Sequence, residues 1–295
     1  MTDHLPAARS FGSLADVYDR GRPAYPREAA AWATADAPLT VLELGAGTGK
    51  LTEQLVALGH DVHATEPDAA MLAVLKARLP DVRTSLTGAE DIPSSDSSYD
   101  VVVTAQAFHW FDHERALPEI ARVLKPNGHL AVLWNARDER IPWVRKLGRI
   151  IGSPPRERDS AGTLAASKHF AEVEAGTFKC WQSVDQHSIL DLVRSRSDVI
   201  ALPEEERAAK LAAVSALYQD YGRGRDGMQL PYVTECFRAQ VVPRPADTGP
   251  LPLVHPDRDS SDGSAPHGSH GSYDHDGPVP PPTDDDSGML LIDFR

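Results

Sequence analysis

Val41-Leu42-Glu43-Leu44-Gly45-Ala46-Gly47-Thr48-Gly49-Lys50 is the stretch whose reading decides the fold. A short apolar run enters three alternating glycines. Leu51, Leu55 and Leu58 then follow at helical spacing. Glycine tolerates positive φ and lets a ligand approach the main chain closely. The helix start adds unpaired N–H groups and a partial positive charge. A strand–glycine–helix joint of this kind suits the polar part of a nucleotide-like ligand.

Three ligands compete for such a joint. A dinucleotide fingerprint needs a third glycine at position 50, which is Lys50. A phosphate-cradling loop needs Gly-Lys followed by Ser or Thr, with four residues between its glycines. Here Leu51 follows Lys50, and three residues separate Gly45 from Gly49. What remains is Glu-x-Gly-x-Gly-x-Gly. Glu43 repels a pyrophosphate and favours a ligand that carries an ammonium or sulfonium charge.

Outward from the loop, strand and helix patterns alternate, which predicts a layered α/β fold. Strands are expected at Val41–Leu44, Val62–Thr65, Val82–Leu86, Val101–Val103 and Leu130–Trp134. Most are continuous apolar runs, as in a parallel sheet buried on both faces. Met71, Leu72, Leu75 and Leu79 mark one intervening helix, and Leu117, Ile120, Ala121 and Leu124 another. Pro118 lies inside the latter, where its missing N–H is expected to kink or delay it. Further on, Ile141–Ile151 reads as helix, Ser153–Lys168 as loop and Phe178–Val184 as strand. Glu204–Tyr218 reads as helix and Leu230–Ala239 as a last strand. Pro203 and three following glutamates give the Glu204 helix a strong start.

Three more features lie beyond strand ends, where open α/β sheets bind ligands. Glu66 follows the second strand, where a carboxylate can accept hydrogen bonds from both hydroxyls of a ribose. Gly88-Ala89-Glu90-Asp91-Ile92-Pro93 follows the third and can set a backbone N–H and a carboxylate against an adenine edge. Thr104-Ala105-Gln106-Ala107-Phe108-His109-Trp110-Phe111 follows the fourth and places Gln106, His109 and Trp110 at the mouth of the site.

Composition narrows the function class. The chain has 295 residues, 41% hydrophobic and 25% charged, with net charge −13. That is ordinary for a folded protein and long enough to bury a core. The acidic balance argues against a nucleic-acid partner and against a polybasic membrane anchor. No apolar run is long enough to span a bilayer, and the first ten residues lack a signal pattern, so a cytoplasmic location is expected. Cys180 and Cys236 are too few for a disulfide or zinc framework. From Pro243 to Gly288 there are ten Pro, nine Asp, six Gly and four His; nine Asp against two Arg supply −7 of the −13. Residues 243–295 are therefore read as a disordered acidic tail. Its histidines His267, His270 and His275 are sequence-level metal candidates only, and no metal is expected.

The ordered set resembles the class I S-adenosylmethionine-dependent methyltransferases. It is most similar to the small-molecule branch that includes trans-aconitate methyltransferase-like proteins. The matching residues are Glu43–Gly49, Ala64-Thr65-Glu66-Pro67 with Met71-Leu72, Gly88–Pro93 and Gln106–Phe111. Arg122–Gly128 resembles the family's helix-to-strand turn, with Asn127 in place of the usual glycine; Asn also tolerates the left-handed conformation. Ala15–Pro26 resembles the segment that closes over the cofactor. Ser195–Ser197 and Leu230–Thr234 resemble the cap and last strand.

The resemblance implies a three-layer Rossmann-like sheet of seven mostly parallel strands with the last antiparallel, a small helical cap and the tail. Residues 1–242 then form the methyltransferase domain: 1–36 an N-terminal cap segment, 37–150 the cofactor core and 186–221 a helical cap insertion. It implies S-adenosyl-L-methionine held by Tyr18, Glu43, Gly45, Ala46, Gly47, Gly49, Glu66, Pro67, Met71, Ala89, Glu90 and Gln106. Gln106 and His109 stand nearest the chemistry, with His109 the candidate base. Arg22, His109, Trp110, Asn135 and Arg196 are candidate contacts for a small organic acceptor, the arginines as a clamp for a carboxylate. A second reading has the fold bind the cofactor without turnover while the acidic tail engages a protein partner. A nicotinamide-dependent reductase is a third, opposed by Lys50.

Overall fold

The computed structural model describes residues 19, 21–35, 38–152, 159–222 and 227–243. Tyr18, most of the N-terminal cap segment and the tail beyond residue 243 lie outside the described residues.

Seven strands form one sheet: β1 (Thr40–Leu44), β2 (Asp61–Thr65), β3 (Arg83–Ser85), β4 (Tyr99–Ala105), β5 (Leu124–Arg137), β6 (Phe170–Val184) and β7 (Met228–Val241). Their spatial order is β3-β2-β1-β4-β5-β7-β6. The first five run parallel, and β7 lies antiparallel between β5 and β6. The helices are α1 (Arg27–Thr34), α2 (Lys50–Ala57), α3 (Ala69–Arg78), α4 (His113–Val123), α5 (Pro142–Ile151), α6 (Ser160–Ala165), α7 (Gln186–Arg194), α8 (Ser197–Ile200) and α9 (Glu204–Tyr221). Among the described residues no helix is long and apolar enough to cross a membrane.

The chain winds from β1 outward to β2 and β3, then returns to place β4 on the other side of β1. That reversal opens a crevice at the carboxyl ends of β1 and β4. Alternation along the strands divides the core. Leu42, Leu44, Val102, Leu130, Val132 and Trp134 pack with α4 on one face. Val41, Val101, Val103, Ala131 and Leu133 pack with Ala29, Ala30 and Ala33 of α1 on the other. A third apolar cluster joins α5, α7 and α9 to Val184, Leu230 and Tyr232.

Several boundaries depart from the expectations. β5 begins at Leu124, where Leu124 pairs with Tyr99 across a register shift. Asn127 sits there at φ 67°, the left-handed geometry that suits Asn. α4 runs through Pro118 after an Asp112 cap that accepts the Glu114 N–H. The expected loop at Ser153–Lys168 contains α6, begun by Asp159 accepting the Gly162 N–H. β6 reaches back to Phe170; it is an edge strand whose exposed Glu172 and Glu174 break the apolar pattern.

Candidate functional site

The glycine loop joins β1 to α2 at the crevice. Gly45, Gly47 and Gly49 have φ of 68°, 57° and 87°, the left-handed region that side chains oppose. At Gly45 the restriction is also steric: a Cβ there would lie 2.5 Å from the Cβ of Ala107, on the loop after β4. The two loops that bound the crevice are therefore in contact. Met71 closes the other side, its Sδ 3.8 Å from where a Gly47 Cβ would stand.

Two acids sit beneath this loop. Glu43 is 1% exposed and accepts the Thr52 hydroxyl at 2.6 Å. Burial pushes its carboxyl up to about 8, against the Thr52 hydrogen bond; the charge of Glu66 adds to the rise. Glu66 is 6% exposed; its Oε2 accepts the Gly47 N–H and its Oε1 the Asp68 N–H, both at 2.9 Å. Burial pushes it up to about 7 in spite of those two bonds. Asp68 in turn caps α3 through the Ala70 and Met71 N–H groups. Pro67 sits between these two acids, half-buried.

The N-terminal segment is tied to the same loop. Asp19 accepts the Thr48 hydroxyl at 2.8 Å and Arg78 Nη1 at 2.7 Å, with Lys50 Nζ at 3.5 Å. Sequence reading did not single out Arg78, because a helical arginine carries no local signal of a contact 59 positions away.

Beyond β3, Ala89 is buried in the core beside α4, and Glu90 accepts the Asp112 N–H at 2.9 Å. Beyond β4, Gln106 adopts φ 59°, a left-handed conformation rare for a side-chain-bearing residue and typical of strained functional turns. Its Nε2 donates to the Asn135 carbonyl at 2.9 Å, so the ends of β4 and β5 are braced together. His109 and Trp110 lie in a short 3-10 turn (Phe108–Trp110). The His109 ring stands 4.4 Å from that of Trp110 and 5.3 Å from that of Trp134.

The remaining candidates gather on the other face. Trp134 and Asn135 are successive in β5 and so point oppositely. Asn135 Oδ1 accepts the Thr234 hydroxyl at 2.5 Å, and its Nδ2 donates to the Ala24 carbonyl at 3.2 Å. Arg22 donates to the Ser195 carbonyl at 3.3 Å, and Arg196 forms a forked pair with Asp198 at 3.0 and 2.9 Å. The structure thus brings Arg22, Asn135 and Arg196 to one side and holds His109 and Trp110 on the other. Arg137 and Tyr232 join the first group; neither stood out in the sequence.

The chain as a whole is similar to proteins of known family. Residues 42–132 match the methyltransferase domain. Over 238 residues the chain is 45% identical to an uncharacterized methyltransferase of Mycobacterium tuberculosis, covering 79% of this chain and 96% of that protein. An uncharacterized methyltransferase of Schizosaccharomyces pombe is 35% identical over 249 residues, 80% of this chain and 98% of that one. A trans-aconitate 2-methyltransferase of Variovorax paradoxus is 28% identical over 166 residues, 51% of this chain and 62% of that one. Among solved structures, a type II methyltransferase from Anaeromyxobacter dehalogenans aligns with TM-score 0.52 and 25% identity, covering 74% of this chain and 97% of that one.

Proposed function

Because this chain belongs to the class I S-adenosylmethionine-dependent methyltransferases, we propose that it transfers a methyl group from that cofactor to a small organic acceptor bearing a carboxylate or hydroxyl. The observation that carries the reading is the left-handed glycine loop at the sheet's switch point with two buried acids beneath it.

Bound, the cofactor supplies an electrophilic methyl group on a positive sulfur. Every other requirement falls on the chain. Glu66 faces the ribose hydroxyls: each of its oxygens already accepts one backbone N–H and has a further lone pair to offer. Glu43 and the Gly45–Gly49 main chain hold the charged methionine end, with Ala46 and Met71 packed around it. Pro67, Ala89 and Glu90 border the adenine. The strained Gln106 fixes the mouth of the site next to Asn135.

An acceptor aligned in line at van der Waals distance gains several kcal/mol of the barrier from positioning alone. Asn135, Arg22 and Arg196 provide that alignment from the cap side. A carboxylate acceptor loses no proton, and His109 and Trp110 then serve as an aromatic wall. A hydroxyl acceptor needs a base, and His109 is the imidazole in place for it.

A panel of small carboxylates and alcohols tests the reading, with released S-adenosylhomocysteine as the readout. Turnover with one class and not with amines or nucleic acid is the expected result. Cofactor binding without release across the panel contradicts it.

A further inference from the structure

The face of the sheet beyond Asn135 carries a row that crosses three strands. Arg137 on β5 is directly opposite Tyr232 on β7, which is directly opposite Cys180 on β6. Residues paired in this way share a face. Gln182 lies on the same face of β6, two positions along from Cys180, and its Nε2 donates to the Gly21 carbonyl at 3.1 Å. The roof over the row is the segment at Gly21 and Arg22, pressed onto the end of α7. A Cβ at Gly21 would meet the Asp191 main chain at 2.6 Å.

This layer is dry and rich in positive charge. The side chains of Arg137 and Arg196 are 7% and 11% exposed, and Tyr232 is 4% exposed. Arg137 spends one nitrogen on the Gly152 carbonyl at 2.9 Å and lies 3.5 Å from Glu139. Its Nε has no hydrogen-bond partner among the described residues, and neither has the Tyr232 hydroxyl. Leaving buried donors unmade is costly, and such groups in a folded protein call for a specific cause. Burial pushes the Tyr232 hydroxyl up to about 12 although arginines surround it, so it keeps its proton and acts as a donor.

We propose that Arg137 and Tyr232 form an anion-binding subsite for the acceptor: they recognise a carboxylate or phosphate-ester group that is not the atom methylated. The proposal rests on the methyltransferase reading for the word acceptor. Its geometry comes from the row itself. Arg137 lies two residues along β5 from Asn135, roughly 7 Å at strand spacing. An acceptor seated at Gln106 and Asn135 therefore reaches these donors with an anionic group a few bonds away from its reacting atom.

The test is calorimetric titration of succinate and of glycerol 3-phosphate, separately, into the full chain without cofactor, with neutral succinamide as the control. The expected result is saturable binding of at least one anion and none of succinamide. Which anion binds distinguishes carboxylate from phosphate ester. Arg137→Gln is expected to weaken that binding about tenfold or more, and Tyr232→Phe about three- to tenfold. Tyr232→Phe removes one oxygen and keeps the ring, so its result stands if the arginine variant fails to fold. Binding of neither anion, or equal binding by wild type and Tyr232→Phe, overturns the proposal. S-adenosylmethionine titrated into the same preparation decides the methyltransferase reading separately, because the anion titration does not depend on it.

Discussion

The two halves of the crevice are built oppositely. The half beneath β1 and β2 holds two buried carboxyls, Glu43 and Glu66, on a stretch of chain from position 43 to 71. The half beyond β5 and β7 holds Arg22, Arg137 and Arg196, drawn from three distant parts of the chain. An acidic half suits a donor with a positive sulfur; a basic half suits an acceptor with a negative group. In the acidic half the binding elements are local: Glu66 meets Gly47 across 19 positions. In the basic half they are long-range: Arg22 meets Ser195 across 173 and Asn135 meets Thr234 across 99. The acidic half is thus written in a motif, and the basic half exists only once the chain has folded.

Substitutions sharpen this contrast. Gly45→Ala must hold φ 68° and a Cβ 2.5 Å from Ala107. It is expected to cost about 2–4 kcal/mol of stability, read as a lowered thermal midpoint together with loss of cofactor affinity. An unchanged midpoint would mean the two loops are not in contact. Glu66→Ala is expected to weaken S-adenosylmethionine binding by about 30- to 100-fold, since it removes charged hydrogen bonds in a dry site. Binding of the anions by the Arg137 region should not change, which is the separation that the two-halves account requires.

Glu43→Gln acts in the opposite direction on stability. The Glu43 carboxyl ordinarily titrates near 4.5 and is pushed up to about 8 in the folded chain. Between those values folding takes up a proton, so the Glu43 contribution to stability falls as pH rises through that window. Replacing it with Gln removes the dependence. The cofactor-free protein should gain about 1–3 kcal/mol in denaturant unfolding near neutral pH and little below about pH 5. Its cofactor affinity should drop. Equal pH profiles for wild type and variant would show that Glu43 is not buried as described.

The smallest effect is expected at His109. With its ring packed at a tilt against those of Trp110 and Trp134, His109→Phe should retain activity on a carboxylate acceptor within about threefold. A loss of about 10²- to 10⁴-fold is the mark of a general base and would point to a hydroxyl acceptor instead.

The residues that were legible and those that were not follow the same division. Val41 to Gly49 announced strand, turn and helix because an apolar run, glycine spacing and Leu51, Leu55 all agree over a few residues. Glu43 and Glu66 were legible for the same reason. β6 was read only from Phe178 because, at the sheet edge, Glu172 and Glu174 face water and hide the strand. Short α6 escaped because one helical turn and a half leaves no periodicity to detect. Arg137 and Tyr232 escaped because nothing near either residue marks it; only the antiparallel register of β5 and β7 sets them side by side.

The most direct measurement titrates S-adenosylmethionine and S-adenosylhomocysteine into the full chain at a series of pH values. The account predicts that both bind once per chain, and that preference for the sulfonium-bearing ligand grows as pH rises through about 7–8, where Glu66 and Glu43 ionise. Absence of binding by either ligand, or a preference that does not change with pH, would contradict it.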